Sequence, residues 1–297
     1  MKRWLGALGA LLFAVGIVLP LLAPPPPLAP QLTPERAAQP EPVVSLTRKA
    51  TGEALALPIE EYVVGVVAAE MDGSFPPAAL AAQAILARTY SLRLVRMGVK
   101  LTDDPGSYQA YDPSRITESI RQAVASTRGQ VVVHSGELVD AVFHACSGGR
   151  TATASEGMQA PDKQYLRPVA DPPCPQNETW SVRVPATALG AAAGVPGAVY
   201  SVAVGRKGPS GRALTLRVNG KEVSAFHVRS AVGSMRMKST YVTDLRLEGR
   251  QVYMAGRGFG HGVGLSQWGA AALAQKGFTP AEIIGHYFMN VAIETWW

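Results

Sequence analysis

The chain has 297 residues, length for about two domains of ordinary size or for one of ~250 residues with appendages. Apolar residues make up 47%, which excludes a wholly disordered chain. Charged residues are only 17%, and 28 basic against 22 acidic side chains leave a net charge of +6. That mild basic balance suits an acidic polymer or surface outside the membrane. It lacks the clustered Arg and Lys with interleaved aromatics that would indicate nucleic acid. Two cysteines exclude a disulfide-rich scaffold and a four-thiolate zinc site.

Lys2 and Arg3 precede a 19-residue run without charge, Leu5 to Ala23. At ~1.5 Å per residue it reaches ~28 Å, nearly a bilayer core. The positive end stays in the cytoplasm, which sends the rest of the chain to the extracytoplasmic face. An uncleaved anchor is expected over 1–23. A cleaved signal peptide is the competing reading, although Leu21 and Pro24 around Ala23 offer no A-x-A site. Residues 20–42 hold nine prolines, so 24–42 is expected to be a stiff tether of polyproline type. The folded part then runs over 43–297.

Within it no solenoid or propeller repeat is found. Val43 to Leu57 reads as a hairpin about Lys49–Gly52. Pro58 can open a helix at its first position, with Glu60 and Glu61 suiting the dipole, through to Glu70. Asp72–Gly73 breaks it. Ser74 is a cap candidate for a second, Ala-rich helix from Pro76–Pro77 to Met97. Ile116 to Thr127 reads as a third helix, and 130–143 as a hairpin about Ser135–Gly136. Strand-like segments follow: Trp180–Val184, Val199–Val204, Ala213–Val218, Tyr241–Leu247 and Gln251–Met254. Ser266 to Gln275 returns to helix, and Thr279, Pro280 and Glu282 form a capping-box start for a last helix to Phe288. The fold class expected is α+β, with helices at both ends of a mostly antiparallel β region, and two lobes flanking a groove, the β-rich one over about 176–255.

Glu70 shares a helix face with Val66 and Val63, and that face carries no basic residue. A carboxyl in apolar surroundings has its pKa raised and can stay protonated near neutrality, as a general acid needs. The plainer reading is a helix-end Glu turned to solvent. Arg88, in Ala87-Arg88-Thr89-Tyr90, either holds an anionic or polyhydroxylated ligand or caps a surface. Gly256, Gly258, Gly260, Gly262 and Gly264 contain G-x-G patterns, but a dinucleotide site needs a βαβ unit that the 33 residues left after Gly264 do not supply. The glycines allow positive φ and close approach. They leave His261, Ser266 and Gln267 as polar groups for sugar hydroxyls, or leave His261 merely bracing the loop. Cys146 and Cys174 form a disulfide, stay free, or join His144 at zinc. A disulfide closing that loop would contribute ~3–4 kcal/mol on the chain-entropy model, and zinc would need a fourth ligand that is not apparent. Ser147-Gly148-Gly149 lacks the G-x-S-x-G pattern of a nucleophile elbow.

Three ordered strings carry a resemblance. They are Glu60-Glu61-Tyr62-Val63-Val64-Gly65-Val66-Val67-Ala68-Ala69-Glu70-Met71, with Phe75-Pro76 and Ala81-Ala82-Gln83-Ala84-Ile85-Leu86-Ala87-Arg88-Thr89-Tyr90; His144-Ala145-Cys146-Ser147-Gly148-Gly149-Arg150-Thr151, with Tyr165-Leu166-Arg167; and Gly258 to Ala270. Over about 43–297 the chain resembles the stage II sporulation protein D (SpoIID) family, which includes the LytB amidase enhancers. The resemblance implies a lytic transglycosylase acting on peptidoglycan glycan strands, in the sporulation members on strands stripped of stem peptides. It maps the catalytic Glu onto Glu70 and a ligand-binding Arg onto Arg88. Arg229 and Lys238 resemble basic positions near the family's cleft, able to meet muramic carboxylates. A transglycosylase of this kind works with one carboxyl group and needs no cofactor. The alternative it implies is a non-catalytic wall-binding module that activates an amidase.

Overall fold

The computed structural model describes residues 30–32, 39–104, 108–174 and 179–297. The expected anchor lies outside them, as does most of the expected tether. Among the described residues no helix is long and apolar enough to cross a membrane.

In chain order, β1 (Gln31–Leu32), β2 (Val43–Thr47) and β3 (Ala54–Pro58) precede α1 (Ile59–Glu70) and α2 (Pro77–Arg96). β4 (Leu101–Thr102), α3 (Glu118–Ala125), β5 (Gln130–His134), β6 (Glu137–Leu138), β7 (Phe143–His144) and α4 (Ala154–Met158) follow. Next come β8 (Thr179–Pro185), α5 (Ala186–Ala192), β9 (Val202–Val204), β10 (Thr215–Val218), β11 (Lys221–Ser224) and α6 (Ala225–Val232). β12 (Val242–Glu248), β13 (Gln251–Arg257), β14 (Leu265–Ser266), α7 (Gln267–Gln275), α8 (Pro280–Tyr287) and β15 (Ala292–Thr295) complete the chain. The protein is α+β, and its sheets are mostly antiparallel.

α1 is rich in β-branched valine, a weak helix former. It is helical because tertiary packing overrides propensity: Tyr62 to Ala68 are all buried. Pro58 is its cap rather than its first residue. Gly65 is needed on this helix, since a Cβ there would stand 2.2 Å from the ring of Tyr111, which stacks on Tyr62 at 5.5 Å. α2 packs closely through Ala79, Ala82, Ala84 and Ala87, none of them exposed. Ser74 does not cap it: the N-cap is Pro76, and the Ser74 N–H donates to Asp72 Oδ1 at 2.9 Å. Pro77 at the first position lacks the N–H that a cap would serve.

Two hydrophobic cores result. The first joins α1, α2 and α3 to β5, β15, α7 and α8. In its sheet β15 runs antiparallel to β5 and parallel to β1, so Gln31–Leu32 of the expected tether pairs with Ala292–Ile293. The second core is drawn from residues between Trp180 and Met254 and lies among β8, β13 and β12, the sheet of β9, β10 and β11, and helices α5 and α6. The two short helices and β11 are not apparent from strand alternation. α5 is seven residues of Ala, Thr, Leu and Gly, too short to show a period.

Candidate active site

Glu70 is the last residue of α1 and is half-buried. One carboxylate oxygen, Oε1, accepts the Ala110 N–H at 2.9 Å. Burial raises the Glu70 pKa above its ordinary value, and the bond from Ala110 and the neighbouring Gln267 amide pull it back in part. Gln267 opens α7, is 6% exposed, and brings its amide to the carboxyl from the far end of the chain. Its Nε2 has no hydrogen bond of full geometry among the described residues, so donor capacity remains at the site. The next residue, Trp268, packs on Phe75 with ring centroids 4.6 Å apart. An apolar aromatic pair thus follows Gln267 in sequence on one side and stands five residues beyond Glu70 on the other.

The structure brings Glu70 and Gln267 together, and Ser266 caps α7 just before them, accepting the Gly269 N–H at 3.3 Å. Arg88 is placed differently. It is fully buried, with Nε and Nη2 bonded to the two oxygens of Glu60 at 2.9 and 2.6 Å. Its Nη1 donates to the Gln130 carbonyl at 3.0 Å. The expectation that Arg88 meets substrate does not fit this placement, because a bidentate internal partner consumes the fork. The alternative of a surface cap fails for the same burial.

His261 likewise turns inward. Its Nε2–H donates to the Phe143 carbonyl at 2.8 Å, and its Nδ1 accepts the Val263 N–H at 3.0 Å. Both ring nitrogens are engaged by backbone, which corrects the expectation of sugar contact in favour of a brace. Burial is the main cause that lowers its pKa to about 4, with the charges of Arg229 and Arg212 adding to it. Arg229 is itself half-buried and donates from Nε to the Met237 carbonyl at 3.1 Å. Lys238 places its ammonium 5.2 Å from the centroid of Phe259. These three residues therefore gather about the glycine-rich loop, and none is bonded to the Glu70 carboxyl.

The glycines of that loop are architectural. A Cβ on Gly262, at φ +84°, would fall 2.4 Å from the Arg212 guanidinium, and one on Gly264, at φ +71°, 2.1 Å from the Val142 carbonyl. The loop can therefore cross the 142–148 segment closely, exchanging backbone bonds between Cys146 and Phe259 in both directions. Cys146 and Cys174 are bonded to each other, with Cα atoms 6.4 Å apart. While they are, no thiolate is offered to zinc, and His144 gives its Nδ1–H to the Val263 carbonyl. The set does not fit a metal. A cavity of about 330 Å³ lies beside this disulfide, lined by Gly149, Asp171, Thr179 and Arg257 among others, and Glu70 is not on its wall. Burial raises the pKa of Asp171 on that wall as well, so neither depth nor a raised carboxyl alone singles out Glu70.

Four positions that hold this region together escape a reading of the sequence. The Ala110 N–H is backbone and has no sequence signal. Arg212 is fully buried, donates to the carbonyls of Ser147 and Arg150 at 2.6 and 2.8 Å, and has its pKa lowered to about 10 by burial. Glu156 closes a capping box on α4 and accepts Ser210. Asp171 is an isolated acid before two prolines, marked by no motif, yet it accepts hydroxyls from Ser147 and Tyr287.

Comparisons with known proteins bear on the chain as a whole. The stage II sporulation protein family model matches residues 47–134, from β2 to the end of β5. The chain is 30% identical over 268 residues to stage II sporulation protein D of Bacillus amyloliquefaciens, covering 80% of this chain and 74% of that protein. It is 31% identical over 267 residues to stage II sporulation protein D of Bacillus subtilis (strain 168), with the same coverage of 80% and 74%. To the amidase enhancer of the same strain it is 24% identical over 287 residues, covering 78% of this chain and 40% of that one. The chain belongs to the stage II sporulation protein D family.

Proposed function

We propose that this chain acts on the extracytoplasmic face of the cytoplasmic membrane as a peptidoglycan lytic transglycosylase, with Glu70 as its single acid and base. The observation that carries the reading is the Glu70 carboxyl itself. It is held above its ordinary pKa by burial and steadied by a backbone N–H and an amide rather than by a cation. Protonated, it gives its proton to the glycosidic oxygen as the bond to C1 breaks. As a carboxylate it then takes the proton of the muramoyl 6-hydroxyl while that oxygen closes on C1. The products are a free leaving-group hydroxyl and a 1,6-anhydromuramoyl end. No water adds, so the second carboxylate of ordinary glycoside hydrolysis has no task. The Phe75–Trp268 pair supplies an apolar face of the kind on which a sugar ring stacks.

The substrate in this reading is a glycan strand, stripped of stem peptides or not, and the N-terminal segment holds the domain to the membrane. No cofactor and no nucleic acid take part. Similarity to an amidase enhancer favours one alternative, a wall-binding module that activates an amidase. Mass spectrometry of products from purified intact and denuded strands decides between them. Anhydro ends should form, and Glu70→Gln, which keeps size but cannot transfer a proton, should lose at least ~10²-fold in turnover. Near wild-type production by the Gln variant would remove Glu70 from the role. Absence of anhydro ends, with amidase hydrolysis rising on addition of the protein, would favour the alternative.

A further inference from the structure

We infer that Asp171 is a positioning residue: it fixes the start of α7 so that the Gln267 amide meets the Glu70 carboxyl. This rests on the reading of Glu70 given above. Asp171 is 8% exposed and sits where three separate parts of the chain converge. Its Oδ2 accepts the Ser147 hydroxyl and its Oδ1 the Tyr287 hydroxyl, both at 2.5 Å, and the Ser266 hydroxyl that caps α7 also bonds to it. Its own N–H donates to the Gly149 carbonyl at 3.2 Å. Three residues on, Cys174 ties the same segment to Cys146.

The contact with α7 is close. A Cβ on Gly269 would stand 2.1 Å from Asp171 Oδ1 and 2.3 Å from the Tyr287 hydroxyl, so the helix approaches the carboxylate only because that residue is glycine. Burial raises the Asp171 pKa above its ordinary value, and the hydroxyls of Ser147, Tyr287 and Ser266 pull it back in part, so hydroxyls rather than a cation hold it against the helix. Trp268 N–H donates to the Ala145 carbonyl at 3.1 Å, which adds a backbone tie at the same end. Gln267 lies between these ties, and its position along the Glu70 carboxyl follows from them. The charged and titratable groups facing Asp171 are Tyr287 and His286 from α8 and Arg212 from the loop before β10. Those facing Glu70 are Tyr62 from its own helix and, as a neutral amide, Gln267.

A positioning role has a readout that a merely structural role lacks. Gln267 lowers the Glu70 pKa, so withdrawing it should raise the Glu70 titration midpoint. In Asp171→Asn, prepared in the full chain, 13C NMR titration of labelled glutamates should show that midpoint moving up, the Glu70 signal being identified by its loss in Glu70→Gln. The alkaline limb of turnover on denuded strands should move up with it, and kcat should fall about 10–100-fold with KM little changed. Tyr287→Phe removes a single hydroxyl and should move the midpoint the same way by less, which keeps the test open if the Asn variant fails to fold. Glu156→Gln, at a buried carboxylate bonded to Ser210 rather than to α7, should lower the melting temperature without moving the midpoint. An unmoved Glu70 midpoint in both Asp171→Asn and Tyr287→Phe would overturn the inference. A midpoint that rises while the variant makes anhydro ends at the wild-type rate supports the tether and overturns the role of Glu70 instead.

Discussion

Glu60 and Glu70 stand at opposite ends of α1, ten positions apart in one run of valine and alanine. Glu60 is saturated: Arg88 takes both its oxygens, and Oε1 also accepts the Gly129 N–H at 3.0 Å and the Trp297 indole N–H at 3.1 Å. These bonds tie α1 to α2, to the turn before β5 and to the C-terminal residue. Glu70 meets one backbone N–H and one amide. The lesson is that burial alone does not make a carboxyl reactive. A buried acid whose oxygens are both taken by a guanidinium serves the fold, whereas one that faces only neutral donors has its charged form disfavoured by burial with no cation to offset it. The family string contains both residues and does not distinguish them.

The largest effect expected from this contrast lies at the Glu60 end. Arg88→Met keeps the length of the side chain but leaves Glu60 buried without its cation. Breaking a buried pair on one side costs about 3–5 kcal/mol, so chemical denaturation should show a loss of that order. Turnover per folded molecule should stay near wild type. A stable Arg88→Met protein with greatly reduced glycan turnover would return Arg88 to the substrate site and undo the comparison.

How much of the molecule is legible in the sequence depends on what each residue's partner is. α1 and α2 are legible from a proline ahead of a long run of Val, Ala and Leu, and α7 and α8 from the caps Ser266 and Thr279, the latter with its Thr279–Glu282 capping box in place. So is the β2–β3 hairpin. The partial burial of Glu70 is legible because its helix face is apolar in sequence; that Gln267 lies beside it is not, since 197 residues separate them. Arg88 is misleading because its partner lies 28 residues upstream, and no local pattern records that pairing. His261 supports two readings in sequence for a similar reason. Its acceptor is a backbone carbonyl 118 residues away, which sequence cannot display. The next expected effect follows from that placement. His261→Ala strands the Phe143 carbonyl and the Val263 N–H and should cost about 2–3 kcal/mol of stability. Turnover per folded molecule should be unchanged, and a selective loss of glycan binding at unchanged melting temperature would contradict the brace.

The smallest effect is the one that most directly separates the two acids, because it reads the cost of keeping Glu70 unpaired. Its folded pKa is raised above the ordinary 4.5, so between 4.5 and that raised value the native state holds a proton that the unfolded chain has released. Stability must therefore fall as pH rises through the window, by about 1.4 kcal/mol for each pH unit that the window spans. Glu70→Gln has no such proton. Its melting temperature should match wild type below pH 4.5, exceed it increasingly through that window, and keep a constant excess above it. The histidines act in the other sense: burial depresses His144 and His261, so the stability they contribute is complete above 6.5 and lost as pH falls, toward about 4 for His261. Both proteins carry them, so the difference between wild type and Gln variant cancels that contribution and isolates Glu70. A difference that stays flat from about pH 4 to 8 would mean that Glu70 titrates as in the unfolded chain, and would leave Glu60 and Glu70 unlike in their partners but alike in chemistry. A gain in stability matched by a loss of turnover is the pattern of a group retained for its reaction against the interest of the fold.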